Sequence, residues 1–168
     1  MPGQTLGQTL AEGVLRVIAA LFVLTLLGLG LDLGLRLQSH LWGPWCWAGL
    51  LPVALGIGLE AWGTLAFWKY GGGTPHPGAR PERLVLQGPY AFSRNPLYLG
   101  RFSILLGVSI LLGSPGIFVV LVGLILFVQF ALLPREEQRL EARHGATYNE
   151  YSSRVGRWIT LPGFRGRG

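Results

Sequence analysis

Four long apolar blocks alternate with polar or turn-forming stretches along the chain: residues 13–37, 45–67, 96–113 and 116–133. At 1.5 Å per residue the first block spans roughly 37 Å, enough to cross a bilayer with some tilt. It is too long, and begins too late, for a signal-peptide core. Helix boundaries are marked by local chemistry. Asn95-Pro96 reads as an N-cap followed by Pro at the first helical position, and Ser114-Pro115 repeats the signal. Gly113-Ser114-Pro115-Gly116 is then a tight turn between two antiparallel spans. Pro134 is expected to start a fresh helix, and Thr147-Tyr148-Asn149-Glu150 reads as a capping box. The pattern predicts an all-α, polytopic membrane protein with four transmembrane helices, the last two forming a tight helical hairpin.

Between the second and third blocks lies a polar loop, residues 69–95, with Gly71-Gly72-Gly73 and prolines at 75, 77, 81 and 89. Loops of this length inside a compact domain are usually functional. A charged tail, 134–168, follows the last block. There is no internal repeat, so residues 1–168 read as one membrane-embedded domain.

Composition narrows the picture. Charged residues make up 13% of the chain and mean hydropathy is +0.44, whereas a soluble domain carries about 25% charged residues. That excludes an ordinary soluble enzyme, and the apolar content excludes intrinsic disorder. A single Cys46 rules out a disulfide framework, and His40, His76 and His144 have no metal-ligand spacing, so no metal is expected. The net charge of +6 and a pI near 10.2 raise the question of nucleic acid. The basic residues flank apolar blocks, however, where positive charge reports membrane orientation, so no nucleic-acid partner is expected. Twelve of the 14 Lys and Arg fall in 69–101 and in the tail, on one side of a four-span arrangement. The positive-inside rule puts the N- and C-termini, the loop and the tail in the cytoplasm. Trp42, Trp45 and Trp47 then form an aromatic belt at the far interface. Arg far above Lys, with abundant Gly and Ala, leans towards a prokaryotic inner (cytoplasmic) membrane. The sequence leaves the oligomeric state unknown.

Several residues could carry chemistry. Glu60 lies inside the second block, roughly 10 Å from its cytoplasmic end. A carboxylate there is costly unless paired, which makes it either functional or the partner of an Arg such as Arg36 or Arg101. Asp32 reads as a snorkelling residue or an Arg36 partner. The Asn95-Pro96 helix start offers free N–H groups to a carboxylate or phosphate. The helix after Pro134 pairs like charges at i,i+4 (Arg135–Arg139, Glu137–Glu141, Arg139–Arg143), so its charges are expected to meet something other than each other. Tyr148, Tyr151, Val155 and Trp158 share a helical face and read as an interfacial anchor.

Two ordered blocks of residues are distinctive in combination. The first is Gly88-Pro89-Tyr90 with Arg94-Asn95-Pro96-Leu97-Tyr98-Leu99-Gly100. The second is Glu136-Glu137 with Leu140, then Gly145, Tyr148, Tyr151, Arg154 and Val155. Together, across roughly 69–158, they resemble the integral-membrane S-adenosylmethionine-dependent methyltransferases, a superfamily that includes isoprenylcysteine carboxyl methyltransferase and the phospholipid N-methyltransferases. Gly73-Thr74-Pro75 resembles a prokaryotic branch. Many members have His where this chain has Asn95, and Asn cannot act as a base.

The resemblance implies S-adenosylmethionine as cofactor, held at the cytoplasmic ends of the last two spans under the loop and the C-terminal helices. It maps the ligand-contacting positions onto Arg94, Asn95, Pro96, Tyr98, Gly100, Glu136 and Glu137. Physically, a helix N-terminus can hold the methionine carboxylate, a carboxylate can take ribose hydroxyls or the amino group, and Gly100 would let a ligand approach the backbone. The expected reaction is methyl transfer to a lipophilic acceptor from the bilayer, most like isoprenylcysteine-type carboxyl methylation, with membrane lipids as partners. Arg94 or Arg154 would orient a carboxylate acceptor. A phospholipid or other lipid amine would need a base, for which Glu60 is the deep candidate, and a thiol would need nearby Arg. Rival classes are a nicotinamide-dependent sterol-reductase-like protein and a non-enzymatic membrane scaffold.

Overall fold

A computed structural model describes residues 6–37, 43–71 and 84–160, with side chains from residue 12. Expectations for Trp42, Gly73-Thr74-Pro75 and residues 72–83 of the 69–95 loop lie outside those residues. The described residues form helices and turns, with no strand among them. The helices are α1 (Leu6–Leu35), α2 (Leu50–Gly71), α3 (Pro96–Leu111), α4 (Pro115–Phe127), α5 (Leu133–His144) and α6 (Ala146–Arg154). A 3-10 turn, Pro44–Gly49, precedes α2. It leaves Trp45 and Trp47 84% and 70% exposed, as residues of an aromatic belt would be.

Three helical stretches are long and apolar enough to cross a membrane: Glu12–Leu35, Pro44–Gly71 and Pro115–His144. The fourth apolar helix, α3, has 16 residues, short of the roughly 20 that a bilayer core asks for. The four-span expectation is thus met in three spans by length alone.

Helices α2 and α3 touch along a seam of glycines. Gly49, Gly56 and Gly63 recur every seventh residue on one side, where Gly49 meets Gly107, Gly56 meets Gly100 and Gly63 meets Leu97. A Cβ on Gly56 would lie 2.5 Å from the Gly100 carbonyl oxygen, and one on Gly107 would lie 2.5 Å from that of Gly49. Only residues without a side chain allow backbones this close, and such contacts bind helices where lipid supplies no hydrophobic drive. Gly100 serves helix packing: its missing Cβ faces Glu60 and Gly56.

The hairpin between α3 and α4 turns at Gly113, in the left-handed region at φ 57°. The Ser114 hydroxyl accepts from the Ile117 N–H, as the cap signal predicts. Asp32 of α1 completes this corner. Its Oδ1 accepts from the Gly116 N–H at 2.7 Å and its other oxygen accepts from the Ser114 hydroxyl. The snorkelling or Arg36-paired reading of Asp32 gives way to a capping role for a neighbouring helix.

Pro134 does not start a fresh helix. The chain runs continuously from α4 through a widened π-type turn, Val128–Leu132, into α5. Pro134 has no N–H to donate and its ring would strike the carbonyl four residues back, so the wider turn takes up the mismatch. The main core packs Phe102 and Leu105 of α3 against Ile117, Leu121, Val128 and Leu133. A smaller one holds Tyr148, Tyr151 and Val155 against Leu84, Leu86 and Leu140. The aromatic stripe is therefore buried rather than an interfacial anchor. Trp158 lies beyond α6, packed on Phe102 and donating to Gln129 Oε1 at 2.8 Å. The capping box is absent too: α6 begins at Ala146, and Thr147 sits inside it.

Candidate functional site

Where α3 begins, the chain just before it is stitched to the segment after α6. The Arg94 N–H donates to the Gly156 carbonyl (3.0 Å) and the Thr160 N–H to that of Phe92 (2.8 Å). The Arg157 carbonyl accepts from Ser93 Oγ (3.2 Å) and from the Asn95 side-chain amide (3.0 Å). Asn95 stands at the N-cap position but makes no side-chain cap bond. Its amide is spent on the tail instead.

This stitching brings two arginines to one carboxylate. Glu137 Oε1 forms an ion pair with Arg94 Nη1 at 3.0 Å and accepts from Arg157 Nε at 2.8 Å, while Oε2 accepts from Arg157 Nη2 at 2.6 Å. Arg94 Nη1 also donates to the Tyr148 hydroxyl at 3.1 Å. The hydrogen bonds to Glu137 hold the Arg157 guanidinium above its ordinary range. Next along α5, Glu136 accepts from the Tyr98 hydroxyl at 3.0 Å. The unusual charge pattern of α5 is thereby resolved. Both glutamates turn towards α3 and the tail, and their partners come from elsewhere in the chain.

Beside this cluster is a cavity of about 100 Å³. Arg94, Asn95, Glu136, Glu137 and the tyrosines at 90, 148 and 151 form its polar side, and Phe67, Leu84, Val85, Leu133 and Leu140 its apolar side. Burial pushes all three phenols up, Tyr90 with a further push from the Glu60 carboxylate, so they remain neutral donors at physiological pH. The Tyr151 hydroxyl ties the tail to the loop through the Tyr90 carbonyl at 2.7 Å. Among the described residues, one donor of this lining residue is unspent: Arg94 Nε is buried and has no hydrogen-bond partner. Buried polar atoms are rarely left so, and each one calls for an explanation.

Of the residues expected at a site, the structure gathers Arg94, Asn95, Glu136 and Glu137 around the cavity and sets Tyr98 directly behind Glu136. Pro96 is fully buried in packing, and Gly100 belongs to the α2–α3 seam. Glu60 lies outside the cavity lining, paired with Arg101 Nε at 2.8 Å. Arg154 is not brought to the site. It is 71% exposed and pairs with Glu150 along α6. Arg157 was missed by sequence reasoning, because nothing local sets it apart among the tail's arginines. Tyr90 stood within the first distinctive block without an assigned role, and Tyr148 was read as part of an interfacial anchor.

Fold and cluster together define a helical integral membrane protein with a charged pocket at one end of its spans. The phospholipid methyltransferase family model matches residues 45–147, more than half of the chain, and the protein belongs to that family. The match takes in α2, the Arg94–Gly100 block and the Glu136-Glu137 pair, and stops before Arg157. No curated protein and no solved structure matches the chain. Membership makes the protein a methyltransferase acting on lipid, which favours methyl transfer over the nicotinamide-dependent and scaffold alternatives.

Proposed function

We propose that this chain transfers a methyl group from S-adenosylmethionine to a lipid acceptor at the cytoplasmic face of the membrane. The observation that carries the reading is the unpartnered, buried Arg94 Nε, set in a cavity wall that also holds Glu136 and Glu137. That donor set fits the cofactor's charged methionine end: an N–H for its carboxylate and carboxylates for its ammonium group or ribose hydroxyls. When bound, the cofactor supplies a methyl carbon activated by a sulfonium. The residues at work are Arg94, Asn95, Glu136 and Glu137, with Arg157 as the movable partner of Glu137. Sites for ligands of this size enclose roughly 300–1,000 Å³, so the small cavity must widen. The Arg157 segment, tied to the start of α3 by hydrogen bonds, to Glu137 by an ion pair and to Phe102 by Trp158, is the part that must retreat. Closing it again excludes water, and alignment in a dry site is the main service that a protein gives to an in-line displacement.

In this reading the whole chain is one domain and α3 is a fourth, short crossing. The termini face the cytoplasm of a prokaryotic inner membrane, where a soluble cofactor meets a bilayer-borne acceptor. The matched family favours a phospholipid acceptor. Isoprenylcysteine-type carboxyl methylation is the second reading, favoured by the two arginines that converge beside the cavity. Calorimetric titration of the purified protein with S-adenosylmethionine and with NADPH tests the cofactor, and labelled methyl transfer to a membrane lipid extract tests the reaction. Binding of S-adenosylmethionine alone, with label in the lipid fraction, is the expected outcome. NADPH binding, or no labelled lipid, would overturn the reading.

A further inference from the structure

Arg101 places a positive charge on a helix whose other residues, Pro96–Leu111, are uncharged. A guanidinium so placed in a membrane costs a few kcal/mol unless paired. Glu60 reaches it from α2, accepting from Nε at 2.8 Å, and the guanidinium lies over the Tyr98 ring at 5.5 Å. Nε carries one of the five N–H groups of an Arg side chain. Among the described residues, neither terminal amino group of Arg101 has a hydrogen-bond partner. The side chain is 30% exposed, which leaves room for a ligand to reach it.

The glycine seam explains why the pair is so well held. A Cβ on Gly100 would lie 3.0 Å from Glu60 Cγ, so the bare backbone of α3 packs directly on the Glu60 side chain. A carboxylate fixed on Nε leaves the two terminal amino groups as a two-pronged fork. That fork matches the oxygens of a phosphate or carboxylate.

We propose that Arg101 is a specificity-determining residue that grips the phosphodiester of the lipid acceptor, with Glu60 as its positioning residue. The proposal rests on the lipid methyl-transfer reading and adds depth to it in a literal sense. Arg94, Asn95 and the paired glutamates stand at the start of α3, whereas Arg101 lies about 8 Å further along its axis, towards the middle of the apolar segment. An acceptor that presents its reactive atom to the cavity must therefore carry an anion on the membrane side of that atom. A phospholipid with an amine at the tip of its headgroup has this order, amine outermost and phosphate beneath. A prenylcysteine carboxylate has no anion beneath its accepting oxygen.

The test uses the full chain purified in detergent. Lipid retention is measured by native mass spectrometry with three probes: phosphatidylethanolamine, a long-chain primary amine without phosphate, and farnesylcysteine. Affinity for S-adenosylmethionine is measured in parallel. In Arg101→Gln, phosphatidylethanolamine binding should weaken by about tenfold or more, while the phosphate-free amine and the cofactor bind as before. Arg101→Lys, which keeps the charge but loses the fork, and Glu60→Gln should each lose less. In phosphatidylethanolamine vesicles, KM should rise with kcat within about twofold. If Arg101→Gln does not fold, the Arg101→Gln/Glu60→Gln pair leaves no unpaired carboxylate and carries the measurement. Equal losses for the phosphate-free amine, an equal or larger loss for farnesylcysteine, or no loss at all would each overturn the proposal. A protein that binds no S-adenosylmethionine yet loses phosphatidylethanolamine on Arg101→Gln would sink the methyl-transfer reading and leave the phosphate grip standing.

Discussion

Two polar clusters interrupt the apolar helices, one at each end, and they differ in how completely they are satisfied. At the α3–α4 turn, Asp32 receives the Ser114 hydroxyl and the Gly116 N–H, and Ser114 in turn receives the Ile117 N–H. Every bond there closes a helix end. At the other end Glu137 collects two guanidiniums and Glu136 a phenol, yet Arg94 Nε points at no acceptor and a cavity lies alongside. Asp32 stands in an apolar helix, the feature by which sequence reasoning flags function, whereas Glu136 and Glu137 stand in the charged α5. Satisfaction separates them: a closed network is what stability requires, and an unspent donor beside a cavity is what a ligand requires.

Substitutions can break or sharpen this contrast. The largest effect is expected from Glu137→Gln, since an amide cannot hold two guanidiniums. Charged hydrogen bonds contribute about 1.5–3 kcal/mol each, so affinity for S-adenosylmethionine should fall roughly tenfold to a hundredfold in a calorimetric titration. A fall in Tm with unchanged affinity would make this end as structural as the other. Asp32→Ala should do the reverse. Loss of a helix cap costs about 1–2 kcal/mol, read as a lower Tm in detergent, while cofactor affinity stays at the wild-type value. Any large loss of affinity would contradict the division.

Asn95 gives a finer test. A simple N-cap would accept Ser or Asp almost without cost. Because the Asn95 amide donates to the Arg157 carbonyl, both variants should lower Tm, the Ser variant through a loss of about 1 kcal/mol of stability. Asp should lower it further, since it sets a carboxylate against that carbonyl. Equal and unchanged melting temperatures would return Asn95 to capping. The smallest effect belongs to Arg154→Gln. Its exposed pair with Glu150 contributes within about 0.5 kcal/mol, and methyl-transfer rate and cofactor affinity should both match wild type.

Much of this was legible in the chain. Apolar blocks, the Ser114 cap and the Glu136-Glu137 pair could be read because each depends on neighbours in sequence. The glycine seam was also written there, as a seven-residue spacing, but was hidden among 26 glycines. Arg157, Asn95 and Asp32 were misread or missed for a shared reason. Each is committed to a partner far along the chain, 20 residues away for Arg157 and Glu137, and local pattern carries no trace of such a choice. Pro134 misled differently, since a proline after an apolar run looks the same whether a helix starts there or widens to let it through.

That widening sets an angle. A π-type turn acts as one residue inserted into an α-helix, and one residue is about 100° of rotation. Everything after Leu132 is therefore turned by roughly a quarter circle relative to an uninterrupted rod. Glu136 and Glu137 follow within the next turn and a half, on the same stiff helix that Asp32 pins at its far end. The bulge works as a phase setting: it decides which side of the rod carries the carboxylates. Without the extra residue, Glu137 would take the direction that Glu136 now has and Glu136 that of Arg135, so Glu137 would lose Arg94 and Arg157 with no change in any side chain of the site.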